Sequence, residues 1–262
     1  MLADRYDAFL FDLDGVIVVG DRPVDGAVDA LARLRDRGTP IRFVTNNSRS
    51  TREALCAHLR DLGIEARVEE MYTAASATAA HLADAGADSV YVLGDDGFAA
   101  EMSRHGVTPT DGRAGGDSVI EDAADAVAVG LDRTATYDKL ATATRLIRER
   151  GAAFVAANDD NAYPTDEGIA PGTGALVAAL RTATGREPTV VGKPHPELFE
   201  RAMSGLDGEV AMVGDSLASD VEGARRAGIE SIYVTAHARA EDEGPAPDAT
   251  VDTPAGLFDP EC

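Results

Sequence analysis

The chain has no tryptophan, only two cysteines and only two lysines. Cys56 lies in a helix-like stretch and Cys262 is the last residue. Two such cysteines exclude a disulfide framework and a cysteine-rich metal cluster, and they fit a reducing cytoplasm. No apolar run reaches the ~18 residues of a membrane-spanning helix. The charged start Met1-Leu2-Ala3-Asp4-Arg5-Tyr6-Asp7 lacks the apolar stretch and cleavage site of a secretory leader. Basic residues are scarce: 24 stand against 46 acidic ones, for a net charge of −22. A field of that sign repels DNA, RNA and anionic membranes. We read the acidity as an adaptation to high salt, where screening makes self-repulsion tolerable.

What is present is enough for a substantial core. A chain of 262 residues with 44% hydrophobic content holds one large or two modest domains. The run from Ala8 to Phe11 reads as a buried strand. It ends in two carboxylates, Asp12 and Asp14, with Gly15 behind them. In extended chain, positions i and i+2 share a side, so the two acids face one spot while Leu13 faces away. Two like charges so close repel each other unless a cation sits between them.

Helical spacing then predicts a helix over 27–37, stopped by Gly38. Ile41–Val44 reads as a strand ending in Thr45-Asn46-Asn47-Ser48. Ser50 and Glu53 form a capping-box pattern ahead of a helix that runs to about residue 62. Further expected elements are helices over 71–86, 98–105, 137–150, 172–184, 196–203 and 217–227. Expected strands are 89–93, 126–129, 153–156, 189–191, 209–213, 231–234 and 249–251. Residues 107–118 and 238–247 read as loops. Alternation of this kind means a parallel sheet covered by helices, an α/β doubly wound, Rossmann-like core.

Open parallel sheets bind ligands at the carboxyl ends of their strands. Four polar groups are expected there: Asp12 with Asp14, Thr45 with Asn46, Gly192-Lys193-Pro194, and Gly214-Asp215-Ser216 with Asp220. An acid pair, a hydroxyl, one ammonium and a second acid pair suit phosphoryl transfer. A carboxylate can attack phosphorus, and a second acid can protonate the leaving oxygen. A phosphoryl group nears several aspartates only with Mg²⁺ and a fixed cation present. Lys193 supplies a compact point charge where a flat guanidinium would fit less well.

These four motifs, in this order, resemble those of the haloacid dehalogenase superfamily of phosphohydrolases. The resemblance implies that Asp12 is the nucleophile and Asp14 the general acid/base. It implies Mg²⁺ on the Asp12 carboxylate, the Asp14 main-chain carbonyl and Asp215. It assigns Thr45, Asn46 and Lys193 to the phosphate, with Asp220 orienting Lys193 or metal-bound waters. A general acid at Asp14 serves an alcohol leaving group, which implies a phosphatase rather than a dehalogenase. Residues 76–187 resemble the α/β cap of the NagD-like, 4-nitrophenylphosphatase branch, through Val129-Gly130-Leu131-Asp132, Ala157-Asn158-Asp159-Asp160 and Pro171-Gly172-Thr173-Gly174-Ala175. Asn158-Asp159-Asp160 stands where that branch has Asn-Pro-Asp. Segments 1–75 and 188–262 would then form the catalytic core.

On the same likeness Arg49, Asn158 and Asp160 are candidate substrate contacts, the substrate is a small phosphorylated metabolite, and a homodimer would form through the cap. A phosphotransferase or mutase, and a non-catalytic phosphometabolite-binding regulator, are the alternative readings. The salt adaptation is checked by thermal unfolding across a KCl series. The melting temperature should climb steeply from dilute buffer to molar KCl, and a flat profile would contradict the reading.

Overall fold

A computed structural model describes residues 1–110, 124–165, 168–238 and 243–260. Contacts divide the chain into two compact units. The first comprises Met1–Thr45, Arg52–Tyr72 and Lys193–Cys262; the second comprises Asn46–Thr51 and Thr73–Gly192.

The first unit is built on a six-stranded sheet. Its order is Ala249–Val251, Glu230–Val234, Val210–Gly214, Ala8–Phe11, Ile41–Thr45, Met71–Thr73. The first five of these strands pair in parallel. Ala8–Phe11 lies in the middle, and all four of its residues are buried. That explains its unbroken apolar run, because a central parallel strand is covered on both faces. Phe9, Phe11 and Phe43 join Leu34, Ile232 and Leu257 in one core cluster. Leu13 belongs to the same cluster, facing away from its two acidic neighbours. The helix Ala27–Asp36 lays Ala27, Ala30, Leu31 and Leu34 on this core. The sequence spacing of those residues is the amphipathic period that puts them on one face. Beyond the first strand, a small hairpin pairs Val18–Val19 with Arg22–Pro23.

The second unit has its own parallel sheet, ordered Thr189–Val190, Ala153–Ala156, Ala126–Val129, Ser89–Leu93, Thr108–Thr110. Its core gathers Leu93, Val127, Val129, Leu146, Ile147, Ala156 and Leu180. A separate antiparallel hairpin joins Ala162–Thr165 to Gly168–Pro171.

Several expectations need correction. Residues 71–86 are not one helix: Met71–Thr73 is a strand and the helix is Ala74–Asp84. Thr73 caps that helix by accepting from the Ser76 amide, which is where the chain changes form. Ser50 does not start the next helix upstream, which begins at Arg52; Asn47 Oδ1 instead accepts from the Arg49 and Ser50 amides. The segments over 137–150 and 217–227 each contain a wider π-type turn, at Leu146–Arg150 and Leu217–Val221. Thr108–Thr110 is a strand rather than loop. Thr189–Val190 pairs with Val155 and Ala156, so it closes the second sheet and is no part of the core sheet. Residues 111–118 and 239–242 of the expected loops, and Cys262, fall outside the described residues. Among the described residues, no helix is long and apolar enough to cross a membrane.

Asp125 offers a measurable test of how the second sheet is held. Its Oδ2 accepts from the Asp88 amide, the Ser89 amide and the Ser89 hydroxyl. These bonds, the Ser89 amide first, hold its pKa below the ordinary carboxylate value. A depressed folded pKa adds stability that is present above the unfolded value and lost as pH falls through the folded one. The carboxylate is exposed and its charge is screened, so Asp125→Ala should cost less than about 1 kcal/mol at pH 7. In urea titrations the difference from wild type should shrink once the pH drops below about 4.

Candidate active site

The first unit brings its polar residues together at the carboxyl ends of its strands. Asp12 directly follows the central strand, and its amide donates to Val213 O across the ladder at 2.9 Å. Its Oδ1 accepts from the Leu13 amide at 2.8 Å and lies 2.8 Å from Lys193 Nζ. The same ammonium donates to Asp220 Oδ1 at 2.7 Å and to the Val44 carbonyl at 3.1 Å. Lys193 is only 2% exposed and Asp220 is fully buried.

Burial alone would drive the Lys193 pKa down. The carboxylates of Asp12 and Asp220 outweigh it and hold the ammonium above its ordinary value. Desolvation in turn pushes both acids up, Asp220 to about 6, against the pull of Lys193. Two acids crowding one cation leave the cluster short of positive charge.

Asp220 is aimed by a local device. Ser216 heads the π-type turn, accepting from the Ser219 amide, and the Asp220 side chain returns a bond through Oδ2 from the Ser216 amide at 3.1 Å. Asp215, one residue earlier, points its carboxylate at Gly15. A Cβ at that position would collide with Asp215 Oδ2, and Gly15 has φ +84°. Only glycine meets both demands. Asp12, Asp215 and Asp220 thereby place carboxylate oxygens within 4.8 Å of one another. The Asp14 carboxylate reaches solvent. Surrounding protein still partly desolvates it and raises its pKa, opposed by the charges of Lys193 and His58. Thr45 ends its strand almost fully buried.

In the second unit, Asn46 Nδ2 donates to both Asp160 oxygens, at 3.2 and 3.3 Å. Asn158, expected as a substrate contact, lies in the same unit. It is 3% exposed and its amide is spent on main chain, donating to the Asn46 carbonyl at 2.8 Å and accepting from the Asp160 amide at 3.2 Å. Arg49 is likewise tied, its Nε bonded to Asp95 Oδ2 at 2.9 Å. No local sequence pattern marked Asn158 as a structural amide, because both of its partners are backbone atoms.

A parallel sheet with a lysine-clamped acid cluster at its strand ends defines a Rossmann-like α/β protein with a charged site where such folds bind ligands. Comparison with known proteins agrees. A family model described as haloacid dehalogenase-like hydrolase matches residues 9–108, and a second HAD-hydrolase-like model matches residues 190–256. The D-glycerol 3-phosphate phosphatase of Mycobacterium tuberculosis is 41% identical over 236 residues, which are 89% of this chain and 64% of that protein. The 5'-nucleotidase YutF of Bacillus subtilis is 38% identical over 233 residues, 87% of each chain. A crystal structure of glycerol phosphate phosphatase from M. tuberculosis with magnesium superposes with a TM-score of 0.86 at 37% identity, covering 98% of this chain and 78% of that one. Chains called p-nitrophenyl phosphatases share the fold as well. The chain belongs to the haloacid dehalogenase-like hydrolases.

Lys193→Met is the sharpest probe of the buried cluster. It leaves Asp12 and Asp220 facing each other with no cation between them. Urea unfolding at pH 7 should show a loss of about 3–5 kcal/mol. An unchanged midpoint would mean that the three charges are not coupled.

Proposed function

We propose that this chain is a Mg²⁺-dependent phosphatase that hydrolyses a small phosphomonoester through an aspartyl-phosphate on Asp12. The observation that supports it most is the buried Lys193 ammonium, bound at once to Asp12 and Asp220. A cation anchored there can hold a phosphoryl oxygen beside the nucleophile. A second copy of the same charge on a mobile side chain could not.

In this reading an Asp12 carboxylate oxygen bonds to phosphorus as the ester oxygen departs. Asp14 gives that oxygen its proton, so the product leaves as an alcohol. Asp14, now a carboxylate, then takes a proton from a water that attacks the phosphorus of the acyl phosphate. The bond to Asp12 breaks, inorganic phosphate leaves and the enzyme is restored. The Thr45 hydroxyl, the Asn46 amide and Lys193 hold the phosphoryl oxygens.

The donor set fits a divalent cation. It is all oxygen, which suits Mg²⁺, and of the three carboxylates gathered there Asp12 and Asp220 share one ammonium. Asp12, Asp215 and the Asp14 main-chain carbonyl would hold the ion. Both oxygens of Asp220 are already engaged, by Lys193 and the Ser216 amide, which gives Asp220 a supporting part. Bound Mg²⁺ supplies the positive charge that lets a phosphate dianion approach these acids. The glycerol 3-phosphate and nucleotide activities named for the relatives favour a small soluble substrate, with the second unit serving as a substrate-selecting cap.

Phosphate release from p-nitrophenyl phosphate and from a panel of small phosphomonoesters, with Mg²⁺ at high KCl, tests this. Wild type should release phosphate without an added acceptor, and chelation should abolish it. Asp12→Asn should lower turnover by roughly 10⁴-fold. Near-normal turnover in that variant would exclude the mechanism, and release only on adding an acceptor would point to a transferase.

A further inference from the structure

We propose that Gly223 is a positioning residue for Lys193: its missing side chain is the notch that lets the lysine's loop and the Asp220 turn come within bonding distance. This rests on the phosphatase reading given above, and every residue involved belongs to the first unit.

Glycine is, after proline, the residue least suited to a helix. Gly223 nonetheless lies inside the helical run from Leu217 to Ala227, three residues beyond Asp220. It is buried, and what it faces explains its presence. A Cβ at residue 223 would collide with Phe199 Cε2 and stand 2.6 Å from Phe199 Cζ. It would also stand 3.3 Å from the Cα of Pro194. Phe199 lies on the helix Pro196–Met203 and is fully buried, so its ring has no open space to swing into. The Pro194 contact is with main chain, one peptide bond from Lys193.

The Lys193 ammonium spans the same gap, donating to Asp220 Oδ1 at 2.7 Å. The Asp220 turn has no room to retreat toward the sheet. A Cβ at Gly214, where the strand ends, would collide with the Asp220 Cβ and stand 2.5 Å from its Oδ2. The turn is therefore seated between two glycines, Gly214 on the strand side and Gly223 on the side of Phe199 and Pro194. Filling the notch at residue 223 pushes Phe199 and Pro194 away from the turn. Lys193 and Asp220 then part, and the ammonium leaves the place where it would hold a phosphoryl oxygen beside Asp12. A misplacement of about 1 Å in such a group can cost ~100-fold in rate. Gly223 acts in this way without touching substrate or metal.

The test is calorimetric binding of inorganic phosphate to the full chain with Mg²⁺ at high KCl, alongside turnover of p-nitrophenyl phosphate and urea unfolding. Gly223→Ala should weaken phosphate binding by about 10-fold and lower turnover by up to about 100-fold. Phe199→Leu removes the ring edge that the new Cβ would strike. Adding Gly223→Ala to Phe199→Leu should therefore leave phosphate affinity within about threefold of Phe199→Leu alone, the non-additivity expected of groups in contact. Leu34→Ala opens a cavity in the same unit, in a core cluster that does not include Phe199. It should lower the urea midpoint at least as far yet leave phosphate affinity unchanged.

Phosphate affinity within about twofold of wild type in Gly223→Ala overturns the proposal. So does an equal loss in Leu34→Ala, which would make the effect one of stability alone. If Gly223→Ala does not fold, the double variant decides: affinity close to that of Phe199→Leu supports the proposal, and a further loss of about 10-fold overturns it. A wild type that binds phosphate but hydrolyses nothing defeats the phosphatase reading while leaving the Gly223 comparison intact. A wild type that neither binds nor hydrolyses defeats both.

Discussion

One ammonium carries the structure of this site. Lys193 is buried with two carboxylates and a backbone carbonyl as its partners. Burying such ions costs several kcal/mol each, and only close, well-aimed partners repay the cost. The lysine and its partners come from four separate stretches of chain, residues 12, 44, 193 and 220. They meet only if the order of strands in the first sheet is right. The central position of Ala8–Phe11, between Val210–Gly214 and Ile41–Thr45, supplies that order. The strand packing thus determines where the charges sit, and the charges would be intolerable under any other packing.

Lysine rather than arginine at this position follows from the geometry. Its three donors point at two carboxylates and a carbonyl in different directions, which a planar guanidinium of fixed fork cannot match. The scarcity of lysine elsewhere in the chain made residue 193 stand out. The other lysine, Lys139, is bound to Asp132 and Thr134 in the second unit and serves its local packing. Composition alone could not separate the two. The flanking Gly192 and Pro194 could.

The parts of the fold that were legible in the sequence were those with strong local signatures. Ala8–Phe11 is apolar without interruption because both its faces are covered. The acids that follow it, and Gly15 behind them, mark a turn with a functional demand on it. What stayed hidden depends on pairing between distant residues. Thr189–Val190 is too short to carry a period, and only its ladder to Val155 and Ala156 shows which sheet it joins. Met71–Thr73 was masked by the alanine-rich helix that follows. The hairpin Ala162–Pro171 contains two prolines, residues that weaken any strand pattern. Asn46–Thr51 groups with the second unit through contacts no local pattern can reveal, such as the Leu131 amide donating to Ser48 Oγ.

That last grouping changes how the loop after Thr45 is understood. The chain could have kept the whole of Thr45-Asn46-Asn47-Ser48 with the sheet that ends at Thr45. Instead the Asn47 carbonyl takes the Ala75 amide, Ser48 takes the Leu131 amide, and Arg49 pairs with Asp95. Three bonds to three different elements of the second unit outweigh the single peptide link to the strand. An asparagine-rich stretch suits this arrangement, since each short amide can bond backbone where no regular ladder exists. The residues that look like a phosphate-binding motif in the sequence are therefore also tied into the second unit. These ties use the Asn47 carbonyl, the Ser48 hydroxyl and the Arg49 guanidinium, while Thr45 stays with the sheet that it ends.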